Sequence, residues 1–182
     1  PFGSGFTPPG TGVLLNNEMD DFVQRPGTPN TYGLVGSSAN AIAPGKRPLS
    51  SMTPTFVDTV NGVVVLGTPG GSRIPTMVLL ATLEATVGRD GPEAWATLPR
   101  FHHQYLPDVI EHEPDAFNTA TASALAVYGH VLRATREPYG NMHIVARSKH
   151  GRTQAAADPR GEGSVWVGNT GLRKKNPSVP PP

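Results

Sequence analysis

The chain has 182 residues, a length that suits one domain with one sizeable core. Its 15 Lys and Arg against 14 Asp and Glu leave a net charge of +1, and the one basic run is Arg173-Lys174-Lys175, which argues against a phosphate-neutralising nucleic-acid binder. Cysteine is absent, which removes disulfides, thiolate metal sites and a Cys nucleophile together, while 21 Gly and 20 Pro point to turns and shaped loops rather than a helix bundle.

The chain opens at Pro1-Phe2-Gly3-Ser4-Gly5 with neither an initiator Met nor a signal peptide, and so reads as a processed subunit or a fragment. Residues 1–53 are rich in Gly, Pro, Asn and Ser and are too long for an inert connection, which favours a functional loop region. Within it, Pro26-Gly27-Thr28-Pro29-Asn30 marks a turn-rich excursion, a candidate lid. Thr55-Phe56-Val57 and Val63-Val64-Val65-Leu66 flank Asn61-Gly62, a strong hairpin signal, and the second run has four consecutive apolar residues, which predicts burial on both faces.

A helix is predicted over 76–87, with Met77, Leu80, Ala81 and Val87 near one face. A second is predicted over 92–98 with Pro92 in its first turn, and a third over 115–128 with Asp115 as N-cap and Gly129 just past its end. Strands are predicted over 130–135, 142–147 and 154–157, the last two joined by a turn at Lys149-His150-Gly151. The tail 173–182, basic and then Pro-rich, cannot build a core and is expected to be a flexible end.

Four local patterns carry candidate chemistry. Gly67-Thr68-Pro69-Gly70-Gly71-Ser72-Arg73 lies between a strand and a helix, where uncovered backbone N–H groups stabilise negative charge. Such a turn serves as a phosphate cradle, as an oxyanion hole, or simply as a bend needing positive φ; without Gly-Lys-Ser/Thr the phosphate reading is discounted. Asn16-Asn17-Glu18-Met19-Asp20-Asp21-Phe22 packs amides and carboxyls that suit an ammonium group or a metal, or else an Asx-capped turn. Ser50-Ser51 suits a carboxylate or is an ordinary loop, and no Gly-x-Ser-x-Gly elbow supports a nucleophile there. His102-His103 and His112 lack the spacing of a zinc site, which leaves 100–104 a structural role.

Taken in order, these segments resemble one family. Leu14-Leu15-Asn16-Asn17-Glu18-Met19-Asp20-Asp21-Phe22, Tyr32-Gly33-Leu34-Val35-Gly36, Ala39-Asn40-Ala41-Ile42-Ala43-Pro44-Gly45-Lys46-Arg47-Pro48-Leu49-Ser50-Ser51-Met52-Thr53-Pro54, Gly70-Gly71-Ser72-Arg73 and Pro99-Arg100-Phe101-His102-His103-Gln104 closely resemble the small subunit of the γ-glutamyltranspeptidases (glutathione hydrolases). Ala157-Asp158-Pro159-Arg160-Gly161 is similar to that family's C-terminal signature, and the likeness runs from Phe2 to about Gly161. The resemblance implies an α+β fold, part of the αββα sandwich of the N-terminal nucleophile hydrolases, with residues 1–172 forming a small-subunit portion that lacks the first strands and the large subunit.

The resemblance implies roles residue by residue. Asp21 matches the carboxylate for the substrate α-ammonium and Glu18 its helper; Ser50 and Ser51 match the pair that grips the α-carboxylate. Gly70 and Gly71 match the oxyanion-hole donors, and Tyr32 the aromatic of a lid loop over 26–37. It further implies a self-cleaved precursor, a Thr nucleophile whose own α-amine serves as base, a γ-glutamyl-enzyme, and release to water or to an amino-acid or peptide acceptor. The family's Thr lies upstream of the position matched by Phe2, so this chain alone is expected to be inactive. The implied partners are the large subunit and glutathione or related γ-glutamyl compounds; no metal or cofactor is implied, and a periplasmic or secreted location follows from the family alone. Two alternatives stand: a glutaryl/β-lactam acylase or poly-γ-glutamate depolymerase of the same clan, and a non-catalytic ligand-binding domain.

Overall fold

The hairpin signal at Asn61-Gly62 is realised with a shift of one residue in the computed structural model, which describes residues 3–30, 33–88 and 90–168. Strands β1 (Thr55–Thr59) and β2 (Gly62–Gly67) pair antiparallel, Thr59 opposite Gly62, so Val60 and Asn61 form the turn. Gly62 is the first strand residue rather than a turn residue: its φ is +142°, and a Cβ there would lie 2.1 Å from the Arg147 carbonyl oxygen. The glycine is needed for the close approach of the neighbouring strand.

That neighbour is β6 (His143–Ser148), with β7 (Thr153–Ala157) beyond it, in a four-stranded antiparallel sheet of order β1-β2-β6-β7. Helices α1 (Ile74–Val87) and α2 (Pro92–Thr97) cover one face. The period of two then selects Val64, Leu66, Ile144 and Ala156 for the core, where they meet Ile74, Met77, Val78 and Ala81 of α1 and Ala96 of α2. Val87, expected on that face, is 79% exposed because the buried stripe of α1 ends at Ala81.

Burial of 63–66 on both faces does not occur. Phe56, Val65, Val145 and Ala155 stand in register across the opposite face, and Phe56 is 74% and Val63 39% exposed. No described element packs there, so an apolar sheet surface stays open.

A second, three-stranded sheet has the order β3 (Phe101–His102), β4 (Ile110–His112), β5 (Leu132–Ala134). β4 and β5 run parallel, connected through α3 (Thr119–Val127). β3 and β4 are too short and too polar to show alternation. Asp115 does not cap α3: Pro114 sets a short 3-10 turn, Pro114–Ala116, Phe117 is extended, and the cap is Asn118, whose side chain accepts from the Thr121 N–H at 2.8 Å. Gly129 follows the helix with φ +90°, as expected. The predicted tail at 173–182 lies outside the described residues.

Four charged side chains tie the two sheets together. Arg100, 3% exposed, pairs through Nη2 with the fully buried Asp158 carboxylate and donates to the Ala96 and Tyr139 carbonyls. Asp158 also accepts from the Met142 N–H at 2.9 Å and the Arg160 N–H at 3.0 Å. Arg160 bridges Asp158 (3.2 Å) and Glu113 (2.7 Å) and donates to the carbonyls of Thr97 and Leu98 past the end of α2. Glu113 closes the ring by accepting from the Arg100 N–H at 2.9 Å. Two cations and two anions balance, and each carboxylate oxygen has at least one donor, the condition under which buried charge is tolerated.

Burial pushes the Asp158 carboxyl up, but the Met142 and Arg160 N–H groups and the Arg100 guanidinium outweigh it and hold it below the ordinary value. Its stabilising contribution is therefore present above the ordinary value of 3.8 and is lost as pH falls through the lower folded value. Asp158→Asn is expected to lower the unfolding free energy by about 3–5 kcal/mol at neutral pH, read from urea unfolding. The gap to the parent should narrow below about pH 4; a gap constant down to pH 3 would rule out the ion pair as its cause.

Candidate functional site

The acidic cluster is a single 3-10 turn, Glu18–Asp21, anchored by the buried Phe22. Asn16 starts it by accepting the Glu18 N–H at 3.0 Å, the Asx-turn chemistry of that residue type. Asn40 then does what local sequence cannot. Its Nδ2 donates to the Asp21 carbonyl at 2.8 Å and its Oδ1 accepts the Leu49 N–H at 3.0 Å. One amide thus joins the Asp21 turn to the segment that leads into Ser50-Ser51. Lys46 holds Asn40's own turn by donating to the carbonyls of Ala39 (2.6 Å) and Ala41 (3.1 Å).

The result is a cavity of about 450 Å³ lined by Asp21, Ser51, Asn40 and the loop residues Thr28 to Asn30 and Leu34 to Gly36. That loop is a tight excursion: Pro29 bridges Val35, and Asn30 accepts N–H groups from Gly33 (2.9 Å) and Leu34 (3.0 Å). A carboxylate and a hydroxyl on one wall suit a zwitterion's ammonium and carboxylate. Asp21 is exposed in this cavity, so any ion pair it makes gains strength only when the loop excludes water.

Gly70 and Gly71 lie elsewhere, at the entrance to α1. Their φ values are +152° and +57°, and among the described residues neither N–H donates a hydrogen bond. Asn141 supports the turn from below, its N–H donating to the Thr68 hydroxyl at 3.0 Å. Next to the turn, Ser72, Arg73, His102, Gln104, Glu111, Arg133 and the loop residue Gly33 line a second cavity of about 380 Å³.

The charge beside this turn is net positive. Glu111 pairs with Arg73 and, at 2.7 Å, with Arg133. Burial raises the Glu111 carboxyl, but the two guanidinium groups outweigh it and keep it below the ordinary value. Arg73 also lies over the Tyr139 ring, 4.5 Å from its centroid, and burial pushes the Tyr139 hydroxyl up to about 12, so it stays neutral. Two free N–H groups and a surplus guanidinium suit a developing oxyanion.

The structure therefore brings Asp21 and Ser51 to one cavity, while Ser72, next to Gly70 and Gly71, lines a separate one; residues 28–30 and 34–36 line the first and Gly33 the second. Glu18 and Ser50 border the first cavity in sequence without lining it. Tyr32 lies outside the described residues. Asn40, Ser72 and Gln104 are the organising residues that the local patterns did not assign. Their only signal is a lone amide in Ala39-Asn40-Ala41 and polar residues flanking the Gly-Gly and His-His pairs.

The gamma-glutamyltranspeptidase family model matches residues 1–168. The chain is 43% identical over 169 residues to the glutathione hydrolase proenzyme of Escherichia coli (strain K12), which covers 92% of this chain and 29% of that protein. The solved structure of a Helicobacter pylori gamma-glutamyltranspeptidase mutant superposes with a TM-score of 0.78 at 39% identity, covering 88% of each chain. A cephalosporin acylase from Bacillus halodurans gives a TM-score of 0.69 at 27% identity over 92% of this chain and 30% of that one. These neighbours share the N-terminal nucleophile hydrolase fold, as expected from the sequence. The chain spans less than a third of the length of the curated E. coli relative.

The two glycines differ in what a side chain costs. At Gly70 a Cβ would lie 2.5 Å from Met77 Cε, a flexible end that can move, so the cost is mainly the φ of +152°. At Gly71 the φ of +57° is the left-handed well that Asn tolerates better than other side chains do. Gly70→Ala is expected to cost about 1–3 kcal/mol and Gly71→Asn less than that, measured by thermal unfolding. Equal losses would show that the turn is not held in these conformations.

Proposed function

The chain belongs to the gamma-glutamyltranspeptidase family, and from that premise we propose that it forms the small-subunit portion, over 1–172, of a γ-glutamyl hydrolase/transferase acting on glutathione and related compounds. The observation that carries the reading is the single cavity holding Asp21 and Ser51 beneath a loop that also reaches the Gly70-Gly71 side. In this reading Asp21, helped by Glu18, takes the substrate α-ammonium, and Ser51 with Ser50 takes the α-carboxylate. The head group so held carries its γ-carbonyl to Gly70 and Gly71, and Tyr32 serves as the lid aromatic.

The chemistry follows from that placement. The family's Thr hydroxyl adds to the γ-carbonyl carbon while its α-amine takes the proton, and the new oxyanion accepts the Gly70 and Gly71 N–H groups. The C–N bond breaks, the leaving amine takes the proton, and a γ-glutamyl ester remains. Water or an acceptor amine adds to that ester, and the Thr oxygen leaves with a proton. In this reading the Thr is supplied from outside these 182 residues, along with the large subunit of the same proenzyme. The open apolar face at Phe56, Val65, Val145 and Ala155 supports such a partner, since it is the surface a second sheet would cover. A periplasmic or secreted location belongs to the same proposal.

A second reading, a glutaryl/β-lactam acylase, is favoured by the likeness to a cephalosporin acylase. Asp21 separates the two, because a glutaryl group has no ammonium to pair with it. In the complete two-subunit protein, Asp21→Ala is expected to lower kcat/KM for a γ-glutamyl anilide by about 30-fold to several thousand-fold, the range for truncating one partner of a desolvated charge pair. Glutaryl anilide turnover should fall far less. Equal losses would make Asp21 structural and favour the acylase. The 182-residue chain alone is expected to release no anilide above buffer.

A further inference from the structure

Ser72, Thr76, His102 and Gln104 form a directed chain of hydrogen bonds for which the reaction scheme above has no use. The Gln104 amide sets its direction. Its Nε2 donates to the Leu106 carbonyl at 2.8 Å, which turns Oε1 toward the Gly-Gly turn. There Oε1 lies 2.9 Å from Ser72 Oγ and 2.9 Å from His102 Nε2. An amide oxygen only accepts, so both partners donate, and His102 carries its hydrogen on Nε2. Its Nδ1, 2.7 Å from Thr76 Oγ1, then accepts from that hydroxyl in the neutral ring. His102 is 5% exposed, so the ring cannot swing out to water.

The chain holds two points on one segment. Ser72 is in the 3-10 turn Gly71–Arg73, directly after the two glycines, and Thr76 is in the first turn of α1. Both are fastened to 102–104. On its other side, 104–107 meets the loop over the site: a Cβ at Gly33 would lie 3.2 Å from Pro107 Cδ and 3.6 Å from Gln104 Nε2. Gly70 and Gly71 hold conformations that few residues adopt and that the chain does not select by itself, so something outside the turn must fix where their N–H groups point.

We infer that Gln104 is a positioning residue that, through Ser72, sets the oxyanion turn at Gly70-Gly71. The inference rests on the oxyanion role proposed above. Gln104 lines the cavity beside the turn and not the cavity of Asp21 and Ser51, so its loss is expected to act on the reacting carbonyl and not on the head group.

The test is single-turnover acylation of the complete two-subunit protein by a γ-glutamyl anilide, with Ser72→Ala, Gln104→Met and the double variant. Each single variant is expected to slow acylation by about 10- to 100-fold, the scale of a misaimed donor. The substrate dissociation constant should stay within about twofold. The double variant should be no slower than the slower single, because both break one chain, and Ser72→Thr, which restores the hydroxyl, should recover the parent rate. Weakened binding with an unchanged acylation rate, or losses that multiply in the double variant, would overturn the inference. Should Gln104→Met fail to fold, the Ser72→Ala and Ser72→Thr pair decides alone. Parent-like rates in these variants, beside a dead Asp21→Ala, would remove the positioning role and leave the proposed function standing. An active Asp21→Ala would remove the proposed function itself.

Discussion

The buried pair of Arg100 and Asp158 is the constraint on which the rest of the molecule depends. Arg100 sits where α2 gives way to β3, and Asp158 sits where β7 ends, so their contact fixes one sheet against the other. Arg160 and Glu113 extend the contact to β4 and to the carbonyls past α2. The first consequence is local. Gly140 passes so close to Arg100 and Met77 that a Cβ would come within 2.6 Å of Arg100 Nη1 and 2.5 Å of Met77 Sδ. That close passage leads into Asn141, which props Thr68 under the Gly70-Gly71 turn. The charge pair and the Gly70-Gly71 turn thus share one close-packed passage through Gly140 and Asn141.

Two side-chain amides repeat the same principle at smaller scale. Asn40 and Gln104 each use both ends of the amide, donor and acceptor, to join segments distant in sequence. Asn40 joins the Asp21 turn to the Ser50-Ser51 approach, and Gln104 joins Ser72 to the 106 backbone. The region ahead of β1 has two short 3-10 turns and two isolated bridges but no sheet of its own. It keeps a defined cavity because such bonds replace a ladder, each adding about 0.5–1.5 kcal/mol net.

The polarity of the two sheet faces shows how burial follows from what is present to bury against. Val64 and Val65 are adjacent and chemically identical, yet Val64 is 6% exposed and core while Val65 belongs to the open face. Apolar residues on both faces of β2 and β6 are a chemical statement that both faces belong in the dry. Among the described residues, α1 and α2 answer it on one face.

Much was written in the sequence. The β1–β2 hairpin, α1, α2, β6 and β7 follow from period, turn residues and Pro at helix starts, because those signals act within a few residues. The family and its fold were legible because long motifs such as Ala39 to Pro54 keep order as well as composition. What local signals could not supply was position. Asp115 looked like an N-cap until Pro114 and the extended Phe117 separated it from α3, and β3 and β4 are strands through their pairing with each other and with β5 rather than through any alternation of their own. Asp21 and Ser51 line one cavity where Asn40 joins their two segments, and the Gly70-Gly71 turn lies between a Thr68–Asn141 bond and a Ser72–Gln104 bond that no local pattern announces. A hydrogen bond between residues dozens of positions apart leaves no periodicity in either segment. The sequence determines which groups are available, and the tertiary structure alone decides which of them meet.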